Sequence, residues 1–427
     1  MIPHSDSPTG QSAGCQAILA ISNSRRWAVM SLLFVASIIN YLDRATVSIA
    51  LPYLSADLHL GPESKGLVLS SFFWLYALLQ IPVGWCTDRL NLRWMYAAHF
   101  ALWSLACGFT GFAGSLGALL VMRMLLGIGE SIYLPGGSKI VAVLFASQDR
   151  ALPSGFFDSG TRVGLAVGAP LIAMLIVSYG WRRMFAMVGF TALAWLVPWL
   201  LAAPRNLQGV RKPRLPQAPP GGAPRRRFRF NRKLLGICLG FFGFDYYWYL
   251  LVTWLPDYLV TGRHLTLMRA GFYAALPYCA FAVCQPIGGA LTDWLIRRGY
   301  DETRTRKTVL TLSFLCGLLL IPAVLAQTAG AVLGFLIGAS LVGLGTGNLF
   351  AILQCCAPPD EIGVWTGVEN FVGNIGGVLS PLVTGYLIAT TGSYLPGFAL
   401  ASILLVAGQL AYWFIVGELK PEVAPAA

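Results

Sequence analysis

Long runs of apolar residues alternate with short polar segments along this 427-residue chain. Each run is about 20 residues or longer, the length that a helix needs to cross a bilayer core of about 30 Å. Only helices and closed barrels satisfy their backbone hydrogen bonds in lipid, and runs this long and continuous predict helices. The pattern predicts twelve membrane-spanning helices, at about 27–54, 67–86, 94–113, 116–145, 153–179, 183–202, 234–259, 270–295, 307–325, 333–354, 365–390 and 394–417.

The overall composition agrees with a membrane protein. Hydrophobic residues make up 56% of the chain and charged residues only 11%, whereas soluble proteins carry about 25% charged residues. Residues 1–24 lack the charged start, long apolar run and small-residue cleavage site of a signal peptide. They are predicted to form an N-terminal tail.

Positive charge is concentrated in one segment. Residues 203–233 hold ten Lys and Arg and no acidic residue, and the formal net charge of the whole chain is +12. If both chain ends lie on one side of the membrane, 21 of the 30 Lys and Arg fall on that side, five on the other and four within spans. This asymmetry predicts cytoplasmic termini. The basic segment is therefore interpreted as a determinant of topology that contacts anionic lipid, and a nucleic-acid partner is not expected.

The basic segment divides the spans into two halves that share a repeated motif. "QIPVGWCTD" at 80–88 and "QPIGGALTD" at 285–293 align at an offset of 205 residues. Repeated halves are typical of transporters that bind their substrate between them, near the middle of the membrane. The predicted organisation is a cytoplasmic tail, a six-helix bundle, a basic cytoplasmic linker, a second six-helix bundle and a cytoplasmic tail, at 1–24, 25–202, 203–233, 234–417 and 418–427 respectively.

Each copy of the motif places a glycine and an acidic residue beside basic residues. The first contains Gly84, Asp88, Arg89 and Arg93, and the second contains Asp293. These residues are expected in the cytoplasmic loops after spans two and eight. Glycine lets helices approach closely, and a carboxylate can pair with Arg or cap a helix. Their predicted role is structural or gating.

The sequence resembles the major facilitator superfamily, and within it the anion:cation symporter branch that includes bacterial D-galactonate-type sugar-acid proton symporters. The resemblance covers about residues 27–417 and is carried by "NYLDRA", "SFFWLYALLQIPVGWCTDR", "MRMLLGIGES", "GWRRMF", "TWLPDYL", "RAGF" and "SPLVTGYL". It implies an all-α fold of two pseudo-symmetric six-helix bundles, alternating access, and a central site for an anion.

Five charged residues interrupt the apolar spans: Asp43, Arg44, Arg123, Glu130 and Arg162. Each costs about 2.5–3.5 kcal/mol at a helix centre on insertion scales. They must therefore face a wet cavity or one another. A purely structural ion-pair network between spans one and four remains open as an alternative, although neutral packing would serve structure at least as well.

The chemistry of these groups separates their roles. Arg44 presents a permanently charged planar fork that suits a carboxylate, so it is the predicted substrate contact. Asp43 and Glu130 can exchange protons and are the predicted proton carriers. Arg123 lies seven residues before Glu130, on the same helix face, where it can tune that proton. The resemblance implies the same roles at these positions.

Polar and aromatic side chains complete the predicted substrate site. Tyr41 and Tyr76 lie at positions matched by the resemblance, and Asn370 and Asn374 are one turn apart in span eleven. Such groups can bind the hydroxyls of a sugar acid, although each can equally be a helix contact. Arg162 either pairs with Asp158, one turn earlier, or provides a second anion contact that favours a dicarboxylate.

These observations predict a proton-coupled importer of an organic anion, most simply a sugar acid such as a hexonate, in the bacterial inner membrane. The same mechanism for a dicarboxylate or aromatic acid, an exporter and a non-transporting sensor remain alternatives. No nucleophile–base or metal-binding constellation occurs in the sequence, and the nine cysteines are scattered. No enzymatic activity, cofactor or metal is therefore expected, and the chain is expected to be a monomer.

Overall fold

The computed structural model describes residues 21–60, 62–207, 228, 230–265 and 267–420. Most of the predicted tails 1–24 and 418–427 and of the linker 203–233 lies outside these residues. Within the described ranges the chain is helical and contains no strand. Each of the twelve predicted spans corresponds to a helix in this part of the chain.

In the part of the first half that the structure describes, the chain forms six helices. They are α1 (Asn23–Asp57), α2 (Pro62–Thr87), α3 (Leu92–Thr110), α4 (Leu116–Glu130 and Tyr133–Leu144), and α5 and α6, which together form Ala151–Ala192 with a break at Gly180 and continue through Leu193–Trp195 to Leu196–Ala202.

The second half repeats this arrangement. Its helices are α7 (Arg232–Asp257, then a π turn at Tyr258–Gly262), α8 (Leu267–Arg297), α9 (Glu302–Cys316 and Leu320–Leu325), α10 (Ala329–Ala339 and Gly343–Cys356), α11 (Ile362–Thr391) and α12 (Leu395–Ala411, then a π turn at Tyr412–Val416).

Local sequence explains where several helices begin and end. Side chains at the N-caps accept hydrogen bonds from otherwise unpaired backbone N–H groups: Asn231 accepts from the N–H of Leu234 at 2.8 Å, and Asp301 from that of Arg304 at 2.8 Å. Gly180 separates α5 from α6 with a φ of +79°, in the left-handed region that favours glycine.

Ten stretches of the described residues are long and apolar enough to cross a membrane by length and composition. Helix α3 and the first part of α5 fall outside these ten. The first part of α5 carries Asp158 and Arg162, whose side chains are only 5% and 3% exposed. These charged residues therefore face the interior of the protein. Burial inside a bundle relieves a helix of the need for uniform hydrophobicity.

The two halves meet along two pairs of helices: α2 packs against α11, and α5 against α8. One face of the molecule collects the described chain ends. There Arg25 Nε donates to the carbonyl oxygen of Ala202 at 2.8 Å, and Lys233 Nζ donates to that of Glu418 at 2.8 Å. We call this the terminal face. The two crossing pairs of helices enclose a central space between the halves.

Candidate functional site

A cavity lies between the two halves and is lined by residues from both. The enclosed cavity is small, about 40 Å³. Its walls combine aromatic rings with charged and amide groups, namely Tyr41, Arg44, Tyr76, Tyr133, Leu134, Asp158, Arg162, Phe241, Phe244, Asp245, Trp248, Tyr249, Phe350 and Asn370. Five of the six predicted substrate contacts therefore line the same cavity: Tyr41, Arg44, Tyr76, Arg162 and Asn370. The sixth, Asn374, is not among its lining residues.

Arg44 of α1 is held in place at the cavity wall by one acid and a set of aromatic rings. Its Nε donates to Glu130 Oε2 at 2.8 Å, across from α4. The guanidinium carbon lies 5.0 Å from the ring centroids of Tyr41 and Phe72 and 4.6 Å from that of Tyr76. About 15% of the side chain remains exposed. Its Nη2 is buried without a hydrogen-bond partner among the described residues, so the guanidinium has donor capacity left for an anion.

Asp43 and Arg123 are buried beside this pair without forming ion pairs of their own among the described residues. Asp43 Oδ1 accepts a weak hydrogen bond from Cys107 Sγ at 3.4 Å, and its Oδ2 has no partner there. The Arg123 guanidinium carbon lies 5.1 Å from the centroid of the Phe72 ring, and its Nε and Nη1 have no hydrogen-bond partner among the described residues. Arg44, and not Arg123, is therefore the direct partner of Glu130.

A second charged group faces the same cavity from α5. Arg162 Nη1 lies 3.2 Å from Asp158 Oδ2, which is the pairing left open by the sequence. Its guanidinium also stacks 3.9 Å from the Trp248 ring of the other half. Asp158 accepts further hydrogen bonds from Tyr133 at 3.1 Å and from Gln285 at 2.7 Å. Arg162 thus combines a cation–π contact with one ion pair and remains on the cavity wall.

Sequence reasoning missed Tyr133, Trp248, Tyr249 and Gln285 as members of this site. Gln285 carried a usable signal, because it is one of the residues matched between the two repeated motifs. Trp248 and Tyr249 belong to an aromatic cluster at the start of the second half, whose orientation toward the cavity depends on how α7 is rotated.

The two asparagines of α11 have different surroundings. The Asn370 amide donates to the Tyr76 hydroxyl at 3.3 Å, which joins α11 to α2 at the cavity. Asn374 donates to the carbonyl oxygen of Asn370 at 2.7 Å and accepts from the Tyr249 hydroxyl at 3.5 Å. Asn374 therefore does not line the cavity itself but holds the cavity-lining Tyr249 by a hydrogen bond.

Asp88 joins the two halves at the terminal face. Its two carboxylate oxygens each accept at 2.9 Å from consecutive backbone N–H groups, those of Gly363 and Val364 at the start of α11. Lys139 of α4 donates to Asp88 at 2.7 Å and to the carbonyl oxygen of Pro359 at 2.6 Å. A carboxylate at a helix start pairs with unsatisfied N–H groups and with the positive end of the helix dipole.

Asp293 makes the equivalent contact in the opposite direction. Its carboxylate accepts from the backbone N–H groups of Ala151 at 3.3 Å and Leu152 at 2.8 Å, at the start of α5. Arg306 Nη1 lies 3.4 Å from Asp293 Oδ1. The expected loop position is wrong for Asp293, because α8 continues to Arg297 and keeps this residue within the helix. A helical position directs the carboxylate toward α5.

The other residues of the first motif also have defined positions. Gly84 lies inside α2, not in a loop, and a Cβ atom there would overlap the carbonyl oxygen of Gly363. Arg93 donates to the carbonyl oxygens of Ala203 and Leu200 at 3.2 and 2.6 Å, within its own half. Arg89 stacks 3.9 Å from the ring of Trp85. Gly84 and Asp88 therefore contact the other half, whereas the partners of Arg89 and Arg93 among the described residues belong to their own half.

Additional hydrogen bonds between the halves surround these two aspartates. Arg150 donates to the carbonyl oxygen of Gln354 at 2.9 Å, and the Gln354 amide donates to Ser138 at 3.0 Å. At the protein surface, Arg297 pairs with Asp149 at 2.8 Å. This network links the two halves at the terminal face. In the part of the chain that the structure describes, no group of three His, Cys, Asp or Glu is arranged to hold a metal ion.

Comparisons of the sequence identify its relatives. The Major Facilitator Superfamily profile matches residues 33–381. The chain is 30% identical to the probable galactarate/D-glucarate transporter GudP of Escherichia coli K12, over 93% of this chain and 95% of that protein. It is 31% identical to the D-galactonate transporter of Escherichia coli O6:H1, over 93% and 96% respectively.

Solved structures share the architecture at low sequence identity. The proton:xylose symporter XylE bound to 6-bromo-6-deoxy-D-glucose aligns with a TM-score of 0.70 at 14% identity, over 94% of this chain and 98% of that chain. The human organic anion transporter MFSD10 aligns with a TM-score of 0.70 at 16% identity, over 91% and 99%. At these identities the likeness establishes the fold of two six-helix bundles.

Proposed function

The chain belongs to the major facilitator superfamily, and on that premise we propose that it imports an organic anion together with protons by alternating access. It is a multi-pass membrane transporter and not an enzyme. The relatives are named as transporters of galactarate, D-glucarate and D-galactonate, which are sugar acids. The proposed cargo is accordingly a sugar acid.

The contact that carries this proposal is the 2.8 Å ion pair between Arg44 and Glu130 at the cavity wall. A substrate carboxylate and the Glu130 carboxylate compete for the same guanidinium. When Glu130 takes up a proton it becomes neutral and releases Arg44 for the substrate, since a neutral acid is a much weaker partner for Arg. Loss of that proton restores the pair and displaces the anion. Proton binding and anion binding thereby favour one another.

Asp43 provides the second proton site of the first half. It is fully buried, and one of its carboxylate oxygens has no hydrogen-bond partner among the described residues. It directly precedes Arg44 on α1. An ionised carboxylate is costly in such surroundings, so protonation at Asp43 is favoured until the helix is exposed to water. Arg123, buried close by, favours the ionised form of these acids.

The remaining wall residues suit a polyhydroxylated acid. The Tyr41 and Tyr76 hydroxyls and the Asn370 amide provide both donors and acceptors for substrate hydroxyls. Arg162 favours a second candidate cargo, an aldarate, because it presents a second guanidinium to the same cavity. Galactarate and D-glucarate carry two carboxylates, one for each Arg.

The terminal face is proposed to be the cytoplasmic gate. The Asp88 and Asp293 contacts hold that face closed, so the cavity is accessible from the opposite side. Breaking both contacts would let the halves rock and release the cargo to the cytoplasm. The basic linker and both termini then lie in the cytoplasm of a bacterium, at its inner membrane, where the linker can contact anionic lipid. The protein is proposed to act as a monomer.

Uptake into proteoliposomes tests the proposal. Labelled D-galactonate, gluconate, galactarate, D-glucarate, tartrate and phthalate are supplied under an inward proton gradient, to wild type, Arg44→Ala and Glu130→Gln. We expect accumulation of one acid, its loss in Arg44→Ala, and in Glu130→Gln retention of anion exchange with a much smaller gradient-driven accumulation. Absence of accumulation in wild type, or accumulation in Glu130→Gln that equals that of wild type, would contradict the proposed coupling.

A further inference from the structure

A buried acid in the second half has no function in the scheme above. Glu369 lies on α11, one residue before Asn370, with a side chain that is 0% exposed. Neither of its carboxyl oxygens has a hydrogen-bond partner among the described residues. An ionised carboxylate in this position would have neither a donor nor a counter-charge, so the neutral, protonated acid is the stable form.

A second acid connects Glu369 to the cavity. Asp245 of α7 lines the cavity, and its Oδ2 packs directly against Gly373, where a Cβ atom would overlap it. Gly373 lies four residues after Glu369, which is one turn further along the same face of α11. The glycine therefore allows a cavity-facing carboxylate to lie one helical turn from a buried one.

The charges around the two acids differ. Asp245 interacts electrostatically with two cations, Arg162 and Arg44. The groups that interact electrostatically with Glu369 are Asp245, Cys238 of α7 and Tyr412 at the end of α12.

Among the described residues, the other three helices packed against α11 bring no cation to Glu369. From α2, the buried Gln80 amide is neutral, and from α4, Lys139 is bonded to Asp88. The part of α10 that contacts α11, Gly343–Cys356, contains no Lys or Arg. Within the described residues, Glu369 thus has acidic and neutral neighbours, while Asp245 has cations.

We propose that Glu369 and Asp245 form a further proton-binding site, in the second half, that takes part in the transport cycle. The proposal rests on the proposed proton-coupled transport. Glu369 stores the proton while the terminal face is closed. The proton passes from the Glu369 carboxyl to the Asp245 carboxylate and from there to water, and Glu369 is later protonated again from the other side. One additional proton then moves with each anion.

Infrared spectroscopy of the reconstituted protein tests the protonation directly. We expect wild type to show the carbonyl stretch of buried protonated carboxyl groups, and Glu369→Gln to lose one component of this band while the component from Asp43 remains. Glutamine has the shape of the neutral acid, so this variant should fold normally. The matched control is Glu418→Gln, which removes an exposed acid and should leave the band unchanged. A band that is identical in wild type and Glu369→Gln overturns the proposal.

The number of charges carried per anion tests the role in transport. Under an imposed potential of about 100 mV, the loss of one coupled proton lowers the equilibrium accumulation of anion about 50-fold. We expect this decrease in Glu369→Gln but not in Glu418→Gln, with the pH-gradient response through Glu130 retained. Wild type that accumulates no anion overturns the proposed function itself. If wild type accumulates the anion and Glu369→Gln accumulates it equally, only the proton-binding site at Glu369 and Asp245 is overturned.

Discussion

Asp88 and Asp293 hold the two halves together by the same contact made in opposite directions. Each carboxylate accepts hydrogen bonds from two consecutive backbone N–H groups at the start of a helix in the other half, α11 for Asp88 and α5 for Asp293. Each is also paired with a buried cation, Lys139 or Arg306. The internal repeat of the sequence is thus a repeat of this contact.

Removing the charge of Asp88 should open the terminal face. In Asp88→Asn the amide can no longer accept from both N–H groups and pair with Lys139, and a buried cation that loses its partner is strongly destabilising, by about 3–5 kcal/mol. We expect double electron–electron resonance between spin labels at Leu90 and Tyr300, both exposed on opposite halves, to shift toward longer distances.

An exposed pair at the same face provides the matched control for Asp88→Asn. Arg297 and Asp149 also link the halves, but their side chains are 54% and 34% exposed. Exposed ion pairs contribute about 0–1 kcal/mol, so Asp149→Asn should leave the spin-label distances nearly unchanged. Equal shifts in the two variants would show that the contacts to the α11 N–H groups are not what closes this face.

Adding a side chain at Gly84 should have the same effect through sterics. A Cβ atom at this position overlaps the backbone carbonyl of Gly363, which cannot move away like a flexible side chain. Gly84→Val should therefore separate α2 from α11 and populate the open terminal face in the same spin-label measurement. Gly114→Ala is the control, because no atom lies within 4 Å of a Cβ atom built there.

Replacing Arg44 by Lys should weaken anion binding although the charge is retained. A lysine ammonium cannot reproduce the planar fork that contacts Glu130 and stacks among Tyr41, Phe72 and Tyr76. Loss of one charge-assisted hydrogen bond corresponds to about 1.5–3 kcal/mol, or about a 10- to 150-fold higher Kd by isothermal titration calorimetry.

Arg93→Lys is the matched control for Arg44→Lys. Arg93 bonds carbonyl oxygens of its own half, away from the cavity. This variant should retain the wild-type Kd even if its thermal stability falls. An Arg44→Lys protein that binds the anion as tightly as wild type would remove Arg44 from the binding site.

Arg162 should distinguish dicarboxylates from monocarboxylates. In Arg162→Met the cation over Trp248 is lost, and the Asp158 carboxylate keeps its hydrogen bonds from Tyr133 and Gln285. We expect the Kd for galactarate to rise about 10-fold or more relative to that for D-galactonate. Equal changes for both acids would assign Arg162 to structure only.

The periodicity and composition were sufficient to predict much of the architecture. Runs of apolar residues predicted all twelve helices, because the bilayer imposes both a length and a hydrophobicity on whatever crosses it. The motifs also identified the family. Boundaries were less accurate: α8 extends past Asp293 to Arg297, although the apolar run of the sequence ends before these residues.

The sequence by itself determined that the charges within spans had to face a wet cavity or one another, because a charge that faces lipid is costly wherever it lies. Only the tertiary structure decided which partners they have. It paired Glu130 with Arg44, left Arg123 without an ion pair among the described residues, and brought Asp158 to Arg162 and Gln285. It also brought Asp245 beside Gly373, one turn from Glu369. Such contacts depend on the rotation and crossing of helices that are distant in sequence, which local periodicity does not encode.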